Sequence, residues 1–424
     1  MHILYLHQYF ITRAGVGGTR SYEFARAFVA QGHTVTMVTA ADDSVPWGGG
    51  LLRRRTVDGI DVVELRAGSS NYQQGTAVSY PRRILAFALF ALASIVAVLR
   101  VRRPDVVFAT STPLTIGIPG MIASAVHAAP MVFEVRDLWP EAPVAMGALR
   151  NPLVIRLARW LERTIYRRSA HVVALSPGMA DGVIAAGVPS ERVSVIPNAS
   201  DLDLFSPAVS GAAFRQRLGT EGKFVCTYFG AMGDANDLQQ VVEAARILQE
   251  RGRGDVVFVL HGRGKRRPAL EAFCARHGLT NVIFSDARLA KHEVAELVAA
   301  SDLGMTIYRN LPVLYTCSPN KLFDTFAAGR PALVNSPGWL RELVTQHQAG
   351  VYARPDDAAH LADQIVRLAD DPDLARAYGR NARRLAESRF DRRTLAAQLL
   401  EILESAIRQR VRRSGEVPPL QKHQ

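Results

Sequence analysis

Residues Ser318-Pro319-Asn320-Lys321-Leu322-Phe323-Asp324-Thr325-Phe326-Ala327-Ala328-Gly329-Arg330-Pro331 join a turn, a lysine at a helix opening and an acid three residues further on. Free backbone N–H groups and a cation at a helix start make an anion site. Asp324 lies about one turn along, at the reach of a sugar hydroxyl. Gly329 and Pro331 close the helix. This is chemistry for holding a nucleotide diphosphate and its ribose. A second cationic stretch, His261-Gly262-Arg263-Gly264-Lys265, offers the amides around Gly262 and Gly264 together with Arg263 and Lys265. A third stretch is Glu134-Val135-Arg136-Asp137-Leu138-Trp139-Pro140-Glu141, which follows a strand end. Gly17 and Gly18 let a backbone approach a ligand closely. With Thr19 and Arg20 they open a helix, again an end that favours anions.

The elements that must position these residues alternate. Ile3–Leu6 reads as a short apolar strand, Tyr22–Gln31 as a helix stopping at Gly32, and Thr34–Thr39 as a β-branched strand. Further strands are predicted at Val62–Leu65, Val106–Thr110, Met131–Val135, Val172–Leu175 and Val193–Ile196. The same grammar restarts at Phe224–Phe229 and continues through Val256–Leu260, Val282–Ser285, Leu303–Ile307 and Ala332–Asn335. Alternation of this kind predicts parallel sheets. The expected fold is α/β: two Rossmann-like doubly wound domains facing a central cleft, where ligands bind at strand C-terminal ends. The expected domains are 1–205 and 206–390, then a closing helix within 391–412, centred on Leu395–Arg408, and a loose tail over 413–424.

Length and composition agree with two folded domains. The 424 residues are 48% hydrophobic and 21% charged, which excludes a disordered chain. Cys226, Cys274 and Cys317 form no CxxC pair, which argues against a disulfide framework and a thiolate zinc site. Asp201-Leu202-Asp203 resembles a metal-binding DxD, and His292-Glu293 begins an HExxH that Glu296 breaks. Neither is read as a metal site. The loop at Gly15–Gly18 is not GxGxxG, so a dinucleotide fingerprint is absent. The net charge of +12 suits anionic lipid or phosphorylated substrates, and no nucleic-acid-binding motif accompanies it. The opening Met-His-Ile-Leu-Tyr-Leu-His lacks a signal-peptide pattern, which predicts a cytosolic protein.

Two stretches point to a surface partner. Ile84–Leu99 is almost wholly apolar and flanked by arginines, but short of the ~20 residues that span a bilayer. It reads as a helix buried in the first domain, as one dipping into a membrane surface, or as a span. Pro152–Arg168 reads as a helix with Arg156, Arg159, Arg163 and Arg167 on one face and Leu153, Leu157, Trp160, Leu161 and Ile165 beside them. That combination suits either an anionic membrane interface or a helix packed on the sheet. Arg156, Arg159, Trp160 and Arg163 are its candidate membrane contacts.

The segment 318–331 and the RDLWP sequence at 136–140 resemble the retaining family 4 glycosyltransferases of GT-B fold. The closest look is to the branch that builds O-antigen and capsule sugars, whose members include fucosamine transferases. The resemblance implies transfer of a sugar, of the N-acetylhexosamine type, from a UDP-sugar to a polyprenyl-diphosphate-linked saccharide. It implies retention, no cofactor and no bound metal, with the protein on the inner face of the cell membrane. By resemblance Lys321, Arg136 and Asp137 act at the bond being made. Asp324 would accept from the ribose, with Gly262, Arg263, Lys265, Thr316, Ser318, Asn320, Gly17 and Gly18 around the donor. Asp324 stands at the second glutamate of the family's EX7E motif, and the first falls on Thr316, which is not acidic. The cations common after the second domain's first strand are also missing from Gly230–Asp237. A GT-B nucleotide-sugar epimerase or a non-catalytic nucleotide-sugar-binding protein is the alternative.

Overall fold

The computed structural model describes residues 1–15, 17–41, 47, 49–67, 80–285 and 289–414. The first half builds one sheet from β1 (His2–Leu6), β2 (Thr34–Ala40), β3 (Leu52–Val57), β4 (Ile60–Leu65), β5 (Val106–Thr110), β6 (Met131–Val135), β7 (His171–Ala174) and β8 (Val193–Val195). Their order is β3-β4-β2-β1-β5-β6-β7-β8. All neighbours are parallel except β3 and β4. β1, β5 and β6 are buried along their whole length, as strands covered by helices on both faces must be.

The second half builds β9 (Phe224–Phe229), β10 (Val256–His261), β11 (Val282–Ser285), β12 (Leu303–Thr306), β13 (Ala332–Val334) and β14 (Gly350–Tyr352). They run parallel in the order β11-β10-β9-β12-β13-β14. Strands β3 and β14 were not anticipated. β14 has three residues, too few for a period to show. β3 carries Arg53-Arg54-Arg55, which reads as a solvated loop. The fold uses those charges. Arg53 and Arg55 both pair with Glu64 of β4, which is almost fully buried, and a charged edge strand resists pairing with another chain.

The crossing between the halves is pinned at several points. Arg20, at the opening of helix Arg20–Ala30, donates to Glu134 Oε1 and to the carbonyls of Ile196 (2.9 Å) and Pro197 (2.6 Å). Thr110 donates to the other Glu134 oxygen at 2.6 Å. Ser200 pairs with Asp391 in an isolated bridge. The last helix, Arg392–Ser414, is longer than Leu395–Arg408 at both ends. Its Leu395, Leu399, Leu403 and Ala406 pack with Ile3, Phe24 and Phe28 of the first domain. Of the tail expected from 413, residues 413 and 414 complete this helix, and 415–424 lie outside the described residues.

Candidate functional site

Helix Asn320–Ala327 carries Lys321 in its first turn. Its Lys321 is half-buried, with Nζ 3.8 Å from the centre of the Tyr228 ring. A cation over an aromatic face is attracted by the ring's quadrupole. Gly230, just after β9, lies against the same ammonium, because a Cβ there would sit 3.3 Å from Nζ. Among the described residues no carboxylate is within ion-pair distance of Lys321. Burial without a counter-ion lowers its ammonium from 10.5 to about 7. The Cys317 thiol is a neighbour, pushed up to about 12, mainly by burial and then by Asp137. Burial also raises the Tyr308 hydroxyl, which interacts with Cys317 and feels Asp137.

Asp137 belongs to the first domain, so this cluster spans the cleft. It accepts a 2.8 Å hydrogen bond from Thr112 Oγ1. The residue is exposed, yet desolvation of its carboxyl by the surrounding residues raises it above the ordinary value, outweighing Thr112 and Arg136. Arg136 follows β6 directly. Its backbone N–H donates to Ser111 Oγ at 2.9 Å, and its Nη1 lies 3.0 Å from His7 Nε2. A Cβ on Gly18 would stand 3.4 Å from Asn320 Nδ2 and 3.7 Å from Arg136 Nη2. Gly18, Arg136 and Asn320 therefore meet across the cleft, with exposed Gly17 next in the chain.

Of the expected site residues, the structure brings Lys321, Asn320, Arg136, Asp137 and Gly18 to one cleft. It turns three others away. Asp324, expected to face a ribose, is 2% exposed, with one oxygen accepting from Ser200 Oγ (2.8 Å) and the other from Lys291 Nζ (3.0 Å). A ribose hydroxyl would have to displace one of them. Ser318 accepts at Oγ from Asn198 N (3.0 Å) and at its carbonyl from Asn198 Nδ2 (2.5 Å). Thr316 bonds its own turn through Val313 O, while its carbonyl accepts from Ser176 Oγ and its methyl lies against Gly178. These residues fasten the two domains, because the chain before the helix runs along the first domain. Arg20 is likewise not at an anion site, since Glu134 holds it in the core.

The second cationic stretch follows β10. Gly262 has φ +139°, and a Cβ there would meet the Gly230 carbonyl oxygen at 1.9 Å. Its glycine is needed so that the loops after β9 and β10 can continue the parallel ladder, with Gly230 N on His261 O (3.0 Å) and Met232 N on Arg263 O (2.8 Å). Lys265 is paired with Asp234, as is Arg266. Arg263 stays exposed. Asp201 is held by Arg13 at 2.7 Å and caps the amides of Asp203 and Leu204. Reading the sequence missed His7, Thr112, Tyr228, Tyr308 and Cys317. His7, Thr112 and Tyr308 sit just beyond strand ends and Tyr228 is next to last in β9, which is the local signal they carry, whereas Cys317 follows the 3-10 turn Pro312–Thr316 and carries none.

The first domain also exposes an apolar and basic face. Helix Tyr80–Val98 buries Phe87, Phe90 and Ser94 but leaves Leu85 59% and Leu92 62% exposed, with Leu89 between them. Helix Pro152–Arg168 leaves Leu153, Leu157 and Trp160 exposed, Trp160 at 58%. Arg156, Arg159 and Arg163 are exposed beside them, and Arg159 is tied to Glu141 at 3.0 Å. Among the described residues no helix is long and apolar enough to cross a membrane.

Residues 16–199 match the glycosyl transferase 4-like domain, and residues 223–371 match glycosyl transferases group 1. Alpha-D-kanosaminyltransferase of Streptomyces kanamyceticus is 26% identical over 58% of this chain and 63% of the relative. The chain thus spans less than two thirds of that relative's length. Sucrose-phosphate synthase from Thermosynechococcus elongatus superposes with a TM-score of 0.75 at 18% identity, covering 96% of this chain and 99% of that one. HepE of Anabaena, in complex with UDP-glucose, superposes with a TM-score of 0.69 at 22% identity, covering 96% and 100%. These solved structures share the two-domain GT-B fold.

Proposed function

The chain joins a glycosyl transferase 4-like domain to a glycosyl transferases group 1 domain in one GT-B fold, and from that premise we propose that it transfers a sugar from a UDP-sugar to a lipid-linked saccharide. The observation that carries this reading is Lys321, a half-buried cation in the cleft with no carboxylate partner among the described residues. A cation held this way binds a diphosphate and stabilises it as it leaves. Arg136 comes from the other domain to Gly18, where it meets Asn320, the residue before Lys321. The UDP-glucose held by HepE supports a uridine nucleotide. The sugar proposed is of the N-acetylhexosamine type, the product an O-antigen, capsule or exopolysaccharide unit.

In the proposed reaction the acceptor hydroxyl oxygen bonds to the anomeric carbon as the anomeric carbon–phosphate oxygen bond breaks. The departing phosphate oxygen takes the acceptor's proton on the same face, so configuration is retained. An α-linked donor then gives an α-linked product, and a β-linkage in the product's proton NMR spectrum would exclude the scheme. Asp137, exposed and with a carboxyl that desolvation raises above its ordinary value, is proposed to hydrogen-bond the sugar or the acceptor. Calorimetric titration with UDP and GDP tests the nucleotide site. Binding of UDP supports the reading, and a folded chain that binds neither nucleotide removes it.

The acceptor is proposed to be a polyprenyl-diphosphate-linked saccharide, reached from the inner face of the cell membrane. The exposed Leu157 and Trp160 on the same helix as Arg156 and Arg163, together with exposed Leu85 and Leu92 on helix Tyr80–Val98, support an anionic membrane surface as the docking face. Each basic residue near such a surface contributes about 1 kcal/mol, so reversing Arg156, Arg159 and Arg163 to Glu weakens vesicle binding about a hundredfold or more. Co-sedimentation with vesicles of mixed anionic and zwitterionic lipid measures this. Equal binding by wild type and variant would rule out the docking face.

A further inference from the structure

His7 follows β1, the strand in the middle of the first sheet, and its N–H continues the ladder onto Val38 O at 3.0 Å. Its ring is 2% exposed. Nδ1 lies 2.8 Å from Ser21 Oγ, and Nε2 lies 3.0 Å from Arg136 Nη1. A guanidinium has donors only. The lone pair must therefore be on Nε2 and the proton on Nδ1, donated to Ser21 Oγ. A doubly protonated ring would place a second donor against the guanidinium, and burial together with the Arg136 charge holds the imidazole well below its ordinary value. Ser21 is fully buried in the first turn of helix Arg20–Ala30, so this end of the chain of bonds is anchored.

Arg136 is thus gripped at its backbone by Ser111 and at Nη1 by a neutral acceptor. Among the described residues it has no carboxylate within ion-pair distance. An acidic residue in place of His7 would fix the fork equally well and cancel its charge. Histidine fixes the fork and leaves the charge uncancelled. Nη2, the nitrogen that His7 does not hold, is the one nearest Gly18, where Asn320 arrives from the other domain.

We propose that His7 is a positioning residue that touches no substrate and aims the Arg136 guanidinium at the diphosphate whose other side meets Lys321. This rests on the nucleotide-sugar reading above. Two substitutions separate the ring's two bonds. His7→Gln can place an amide oxygen where Nε2 accepts, and His7→Asn keeps a donor toward Ser21 but does not reach Arg136.

The test is calorimetric binding of UDP to the full chain as wild type, His7→Gln, His7→Asn, Arg136→Ala and the His7→Asn/Arg136→Ala double variant. His7→Asn is expected to weaken UDP binding about tenfold, the effect of one charge-assisted hydrogen bond held out of place. His7→Gln should stay close to wild type. The double variant should bind no worse than Arg136→Ala alone, because His7 acts through Arg136. Additive losses in the double variant, or equal losses in Gln and Asn, would overturn the positioning role. Wild type that fails to bind UDP removes the nucleotide reading first, whereas UDP binding that neither His7→Asn nor Arg136→Ala weakens removes the positioning role alone. Should His7→Asn not fold, the ring nitrogen shifts of histidine-labelled wild type decide. A proton on Nδ1 alone supports the role, and a proton on Nε2 overturns it.

Discussion

Lys321→Ala is expected to weaken UDP binding about tenfold to a hundredfold, the range of one charge-assisted contact to a phosphate in a partly buried site. The truncation leaves no carboxylate stranded, because no described carboxylate pairs with this ammonium. Folding should therefore survive, and the loss of binding is readable. The wild type should also show a pH signature. Its ammonium titrates at about 7 before ligand binds. A diphosphate favours the charged form, so above that value binding takes up a proton. Affinity then falls as pH rises from about 7, by up to tenfold per unit, and calorimetry in buffers of different ionisation enthalpy counts the proton.

The stability of the free chain runs the other way. The folded value lies below the ordinary 10.5, so the unfolded chain binds this proton more tightly. The group's destabilising effect is fully present below about 7 and is relieved as pH rises toward 10.5. A UDP affinity that is flat with pH, or a Lys321→Ala variant that binds as wild type does, would show that Lys321 is not the diphosphate ligand.

Glu134→Ala should produce the largest loss of stability. Glu134 is fully buried and Arg20 nearly so, their charges 2.8 Å apart. Replacing one partner strands a guanidinium in the core, which costs about 3–5 kcal/mol. For a domain of this size the melting temperature should drop by roughly 10 °C. Thr110 loses its shorter bond as well and keeps only Ser111 O at 3.2 Å. Arg20 also holds the carbonyls of Ile196 and Pro197, where the chain leaves the first domain. The fault should therefore spread to Ile196 and Pro197 and raise amide exchange there. Denaturant unfolding checks the magnitude, and a loss under about 1 kcal/mol would mean that water reaches Arg20 once the acid is gone.

The elements that build the cleft were readable from one chain of letters. The apolar runs at Ile3–Leu6, Val106–Thr110 and Phe224–Phe229 are local signals bounded by local turn residues, and each became a strand. β3 was hidden because its cations find their acid only in the finished sheet, on Glu64. Lys321 was readable for the same kind of reason as the strands: a proline turn, a helix opening and a lysine lie within four residues. Asp324 shows the limit. Its spacing from Lys321 is a fact of the helix, but its partners are Ser200 and Lys291.

The sequence by itself determined two parallel sheets, the helix that carries Lys321, and the placement of Arg136 and Asp137 at a strand end. Those follow from periodicity and turn chemistry, which act over a few residues. Only the tertiary structure decided that Arg136 rests on His7, 129 residues away, that Thr316 faces Ser176 across 140, and that Lys321 lies over Tyr228 with no acid beside it among the described residues. Those contacts depend on how two domains meet and which way each loop-end side chain turns. No period in the chain encodes either, since each is fixed by packing against residues from the other end of the fold.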